Sequence, residues 1–274
     1  DDKMIKGKQI LIAIGTALVF ALAGATSFAK TLDIPLPTPG DFSGSVNNSF
    51  WPLQAGSIYL YVAETEDGCE YSKMTVTGGT YTVSMDSTDY LTRVIRDQEW
   101  FSEDCDPVNA VMLEDTLDYY AVDINLNVWY FGEDTLALDE DTGECSDEGS
   151  WLAGDNEAQP GIVLPGDPRK GYRYQQEYLE DEAEDWGQVL RLNAKVAIDY
   201  QDWELDGCLE TREWTPLEPG SVEHKFYCQQ DSGWAGLTFV EELHGKTVYV
   251  EYSGSGPSDL PDQNKAFPAI QCGD

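Results

Sequence analysis

Over most of the chain, apolar and polar residues alternate in short runs that end in turn-forming clusters, and a helical period almost nowhere persists. Residues 57–63 are a dense run of β-formers closed by Glu66-Asp67-Gly68, which predicts an opening strand. Segments 74–76 and 81–85 flank Gly78-Gly79, a pair suited to a hairpin turn. Residues 90–100 alternate imperfectly and read as a strand or a helical turn. The clearest hairpin joins 117–123 to 127–131, with Asp123 and Asn125 supplying the turn chemistry. Short strands are also expected over 161–164, 172–178, 188–192, 194–200, 208–214, 222–228, 237–243 and 247–252. Only 179–186 suggests a helical turn, or, given its acids, a solvated loop. Many short strands separated by turns predict a mainly β protein: a curved antiparallel sheet, an open barrel or a sandwich. Pro160, Gly161, Pro165, Gly166 and Pro168 could divide two lobes, but one continuous sheet is the simpler expectation.

The first stretch breaks this pattern. Lys6 and Lys8 precede an uncharged apolar run of 15 residues, 10–24, and Ser27-Phe28-Ala29 forms a small-x-small cleavage site. A secretory signal peptide over 4–29 is therefore expected, with 1–3 as a tag remnant or upstream sequence and Lys30 as the mature start. The apolar stretch extended to Phe28 is only about 20 residues, marginal for a retained anchor. Lipid modification is not expected, because the first cysteine is Cys69. These features predict a periplasmic or extracellular protein. Behind the leader come an extended Pro/Gly/Ser-rich lead-in (30–49), a single β domain (50–253) onto which Phe50-Trp51-Pro52-Leu53 docks the lead-in, and a loosely ordered tail (254–274).

Charge narrows the partners. Removing Asp1, Asp2, Lys3, Lys6 and Lys8 with the leader leaves (16 − 3) − (51 − 2) = −36. Such a surface repels nucleic acid and anionic membranes, so neither is an expected partner. The acids are interleaved with aromatic and β-branched residues, unlike a disordered acidic tail. Solubility in a salty medium accounts for them most simply, and a function in gathering cations is the alternative. Six cysteines, none in a CxxC pair, with only His224 and His244 beside them, predict three disulfides in an oxidising compartment rather than a zinc site. Six cysteines allow 15 pairings. The first to test is Cys69 with Cys105, Cys208 with Cys228, and Cys145 with Cys272.

Candidate chemistry is sparse. Residues 139–149 carry six acids in eleven positions, superficially like a calcium loop. Glycine falls at the fifth position and Ser150 at the twelfth, so an EF-hand is ruled out. A looser cation site would use Asp139, Asp141, Glu144 and Asp147, with calcium as the only cofactor suggested. Asp123, Asn125 and Asn127 read as hairpin residues first. In a strand, Glu223 and His224 point to opposite faces; Glu210 or Glu213 from a neighbouring strand could instead join His224. No Gly-x-Ser-x-Gly elbow is present, which argues against a serine triad. Carboxylate pairs for glycoside hydrolysis are permitted almost anywhere among 51 acids and eight tryptophans, and so point nowhere in particular. If the sheet leaves an apolar concavity, Trp129, Phe131, Trp214 and Phe226 are expected near it as a ligand pocket.

Several segments carry a resemblance: Phe50-Trp51-Pro52-Leu53, Asn127 to Glu133 (NVWYFGE), Gly149-Ser150-Trp151, Pro160-Gly161-Ile162, Gln176-Glu177-Tyr178 with Ala183-Glu184-Asp185, and Glu213 to Gly220 (EWTPLEPG) with Glu223-His224-Lys225. Over residues 50–250 the chain resembles a group of uncharacterised secreted bacterial proteins. The resemblance implies a bacterial exported protein and brings no catalytic residues with it. One departure is Leu126, where the group favours a glycine-containing turn. The first expectation is a non-enzymatic binding or structural module, with a small apolar ligand or an envelope protein as partner. A cell-surface calcium-binding protein and a carboxylate-dependent hydrolase are the alternatives.

Overall fold

The computed structural model describes residues 30–31, 34–43, 48–52, 55–65, 67–140, 142–198, 203–229, 235–243, 246–254 and 272. The expected leader, most of the tail, Asp141, Trp234 and His244 lie outside the described residues. The long strands are β3 (Ile58–Glu64), β4 (Cys69–Met85), β5 (Thr88–Ser102), β6 (Val111–Asp123), β7 (Val128–Leu138), β13 (Trp186–Ile198), β14 (Trp203–Trp214), β15 (Val222–Gln229), β16 (Ala235–Leu243) and β17 (Lys246–Gly254). Shorter ones are β1 (Lys30–Thr31), β2 (Phe42–Ser43), β8 (Cys145–Ser146), β9 (Trp151–Leu152), β10 (Gln159–Leu164), β11 (Tyr172–Gln175) and β12 (Glu177–Tyr178). No helix among the described residues is long and apolar enough to cross a membrane.

The expected mainly β, antiparallel, disulfide-bonded fold is what forms. Ladders run from β3 through β4, β5, β6 and β7 to β10, with β10 meeting β12. From β11 they run through β13, β14, β15, β16 and β17 back to β3. The two runs of ladders meet at β3 and end at β12 and β11, so the sheet is a strongly curled half-barrel, and it crosses 155–170 without a break. All of these pairings are antiparallel; only the two-residue β1–β11 ladder is parallel.

Two local expectations change. Gly78-Gly79 does not turn the chain: β4 runs straight through it, with a register shift between Val76 and Thr80. The glycines serve as a bulge, the other use a strand makes of residues without side chains. The turn comes at Asp86-Ser87, both with positive φ (49° and 64°), the twist that suits a two-residue hairpin. Segments 188–192 and 194–200 likewise join in one bulged strand, β13.

The hairpin between β6 and β7 forms as expected. Asp123 Oδ1 accepts the Asn125 and Asn127 amides (2.8 and 3.0 Å), while Oδ2 accepts from Asn127 Nδ2 (2.7 Å) and Trp129 Nε1 (3.0 Å). Leu126 takes φ +66°, the conformation a glycine would adopt without strain.

Aromatic residues fill both sides of this part of the sheet. On the outer face Phe42, from the lead-in, packs edge-on against Tyr90, Trp129 and Phe131 at centroid distances of 5.8, 6.3 and 5.7 Å. On the inner face Tyr120 stacks on Tyr130 (4.6 Å), and Trp51 reaches both Tyr120 (5.3 Å) and Tyr227 (6.4 Å). Tyr120 and Tyr227 belong to non-neighbouring strands, so Trp51 spans the interior. Three disulfides join Cys69–Cys105, Cys145–Cys272 and Cys208–Cys228, the pairing expected first. Such bonds belong to a non-reducing environment.

Candidate acidic interior site

Strand alternation places an unusual set of side chains on the inner face. The registers align Tyr61 with Ser72 and Glu99, and Met74 with Asp97 and Thr116. Farther round, Tyr174 aligns with Gly187, Glu213 and Glu223 in one row, and Thr211 with Lys225 in the next. Glu70, Asp97, Glu99, Glu114, Asp118 and Glu133 therefore face Glu177, Asp185, Glu213, Glu223 and Lys225 across the interior. Glu99 feels Glu223, and Asp97 feels Lys225, although β5 and β15 are not paired.

Burial dominates the electrostatics. It pushes Glu70 up to about 7 and Asp97 up to about 6; for Asp97 the Gln98 amide, Ser72 and Lys225 hold the rise back. Asp185 is pushed up to about 6 by burial, against the pull of Lys225. Glu99, Asp118, Glu133 and Glu177 rise well above the usual carboxylate range, first through burial and then through the charges of neighbouring carboxylates. Glu114 rises for the same first reason. Glu70, Asp97, Glu99, Glu114, Glu133, Asp185 and Glu223 nevertheless keep partial solvent access, while Asp118, Glu177 and Glu213 are buried. These groups stand on the inner face of the curled sheet, most of them still reached by solvent.

Hydrogen-bond geometry agrees with protonation in this cluster. The Tyr130 hydroxyl lies 2.7 Å from Asp118 Oδ1 and 2.9 Å from Glu133 Oε2. A phenol has one proton to donate, so the second short contact requires a carboxyl group that donates to the phenol oxygen.

Lys225 is the cationic centre. Its Nζ lies 2.9 Å from Glu213 Oε2 and 3.2 Å from Glu223 Oε2. Burial opposes its charge, but Glu213 and Glu223 outweigh burial and raise its pKa well above the ordinary lysine value. Glu213 also accepts from Gln176 Nε2 (2.9 Å) and Thr211 Oγ1 (2.8 Å). Beside them Tyr174, 1% exposed, has a hydroxyl without a hydrogen-bond partner. Its ring occupies the space where a Gly187 side chain would stand, which accounts for that glycine.

The residues predicted from sequence lie elsewhere. Trp129 (3% exposed) and Phe131 (0%) are in the outer aromatic layer, on the opposite face from Tyr130. Trp214 is also on the outer face, flanked by Arg173 and Arg212, and Phe226 follows it one strand on. The structure does not bring these four together in one pocket. Asp139, Glu144 and Asp147 are exposed and shape a hairpin connection: Asp139 Oδ1 accepts the Thr142 amide (3.1 Å), and its backbone amide donates to the Glu144 carbonyl (2.9 Å). Among the described residues no three His, Cys, Asp or Glu side chains converge as a metal centre. His224 does meet Glu210, at 3.1 Å, on the outer face, while Glu223 points inward.

The interior acids were not singled out as a site from sequence. The signal that could have found them is Lys225 itself, a lone lysine between Glu223 and Tyr227 on one strand face. Fold and site together define a curled antiparallel β protein with an acidic, partly solvent-accessible inner face. Compared with protein-family models, curated proteins and solved structures, the chain matches none.

Proposed function

We propose that the protein is an exported, non-enzymatic binding module of the periplasm or cell exterior that takes a cationic ligand into the acidic interior. One observation carries this reading: among the described residues ten inward carboxylates face one lysine, Lys225, where solvent still enters. A ligand bearing several separated positive charges suits carboxylates spread over seven strands and a turn. It replaces the small apolar ligand that an aromatic concavity would have favoured.

Binding should release protons, because carboxyl groups held protonated near neutral pH must ionise to pair with a cation. Carboxylates on the outer surface, already ionised, release none. Calorimetric titration of spermine at pH 6.5, in buffers of differing ionisation enthalpy, counts the protons. Net release that falls in an Asp97→Asn/Glu99→Gln variant supports the interior site. Binding without proton release, or release unchanged in that variant, overturns it.

A second reading has its own observation. A lysine-paired carboxylate, Glu213, stands near carboxyl groups raised by burial, Glu177 and Asp185, which is the division between base and acid used in carboxylate-dependent hydrolysis. Turnover of a polysaccharide that disappears in Glu177→Gln would replace binding with catalysis.

A further inference from the structure

The outer face of β11, β13, β14 and β15 reverses the character of the molecule. Cross-strand registers align Arg173, Gln188, Arg212 and His224 in one row. Gln175, Trp186 and Trp214 form the row on one side, and Arg191, Glu210 and Phe226 the row on the other. Among these residues Glu210 is the only acid, and it is already engaged by Arg191 Nε (2.9 Å) and His224 Nδ1 (3.1 Å). The guanidinium carbons of Arg173 and Arg212 lie 5.5 and 5.0 Å from the centre of the Trp214 ring. Neither guanidinium has a carboxylate partner among the described residues, and Arg173 Nε is buried without any hydrogen-bond partner.

We propose that this face is a binding site for an acidic polysaccharide that carries widely spaced carboxylates. The site is independent of the acidic interior. An indole that holds two guanidinium groups fixes their orientation in advance and leaves their edges free for bidentate contact with carboxylates. Arg173 and Arg212 stand on strands two ladder steps apart, about 10 Å. The partly exposed Trp186 beside them offers an apolar surface to the face of a sugar ring. A formal net charge of −35 penalises every additional negative charge on a ligand, so a densely charged polymer such as nucleic acid is disfavoured. An uncharged glycan would leave the arginines unused.

Native-gel affinity electrophoresis at low ionic strength tests the site with hyaluronan, which has one carboxylate per disaccharide. Polyglutamate and neutral dextran are run alongside. The wild-type chain should be retarded by hyaluronan, more weakly by polyglutamate and not by dextran. Arg173→Gln/Arg212→Gln should weaken hyaluronan binding at least tenfold, with an unchanged melting temperature confirming the fold. Arg212→Lys, which keeps the charge but loses the planar fork, should weaken it several-fold. No retardation by hyaluronan, or retardation undiminished in the double variant, overturns the proposal. Equal retardation by polyglutamate would overturn it in favour of an acidic protein partner.

Discussion

Replacing Asp97 with Asn should make the protein more stable at pH 8 and leave it nearly unchanged at pH 4. Asp97 lies on the inner face of β5, where its Oδ1 accepts the Gln98 amide (2.9 Å) and the Ser72 hydroxyl (3.2 Å). Burial raises its pKa from 3.8 to about 6. Between those values the folded chain binds a proton that the unfolded chain has lost, so this group's stabilising contribution falls as pH rises. The contribution is complete below 3.8 and gone above about 6. At ~1.4 kcal/mol per pH unit the interval corresponds to about 3 kcal/mol, which the partial solvent exposure of Asp97 reduces toward ~1 kcal/mol. Asparagine keeps the accepting oxygen and never ionises. Urea unfolding of both proteins at pH 4, 6 and 8 measures the difference directly. Wild-type stability should fall over this range, and the advantage of Asn should grow from near zero to 1–3 kcal/mol, by the same estimate of about one to two pH units. An equal loss of stability in Asp97→Asn at pH 4 and pH 8 would refute the argument, because it would mean that the carboxylate is charged and favourably paired throughout.

Three further substitutions test the frame around the site. Leu126→Gly should stabilise the protein by about 1 kcal/mol in denaturant unfolding, because Leu126 holds φ +66°. Asp123→Ala removes the acceptor of four hydrogen bonds and leaves the buried Asn127 and Trp129 groups unpaired, which should cost about 3 kcal/mol or more. Gly187→Ala forces a methyl group into the Tyr174 ring; it should cost about 1–3 kcal/mol and alter near-ultraviolet circular dichroism as the tyrosine moves.

The strand content was legible because β-formers and turn residues mark strands locally. The expected strand at 57–63 forms as Ile58–Glu64, and the expected hairpin turn after Asp123 forms where Asp and Asn supply it. Gly78-Gly79 misled because a glycine pair marks either a turn or a bulge, and the choice depends on the partner strand. Asp86-Ser87 gave little warning because it lacks glycine. Alternation also separated Glu223 from His224 and grouped Trp129 with Phe131. It did not reveal which face would look inward. Around β6 and β7 both faces are covered, one by Phe42 and the lead-in and the other by the interior, so an aromatic pair on the outer layer had the same pattern as one lining a pocket. The acids gave the opposite difficulty: an inward glutamate alternates with apolar neighbours just as an outward one does.

Solubility in salt explains carboxylates that face bulk water, where hydration and counterions relieve their charge. It does not extend to Glu99, Asp118, Glu133 and Glu177, whose charges burial opposes and whose neighbours are mainly other carboxyl groups. At neutral pH each of these groups must either keep its proton or destabilise the fold, and glutamine or an apolar residue would avoid that cost. The surrounding structure tolerates them: aromatic packing on both sheet faces and three disulfides supply stability that the interior does not. Groups that cost stability where cheaper residues would fit are the ones to suspect of function. The suspicion is sharper because the molecule's few basic side chains are not distributed to neutralise them. Among the described residues Lys225 pairs directly with the cluster's carboxylates, while Arg173, Arg191 and Arg212 lie on the outside of the neighbouring strands. A sequence selected only for a stable acidic shell would gain by exchanging those arrangements. The separation of positive charge outside from negative charge inside is what the two proposed binding sites would each require, and folding alone gives no reason for it.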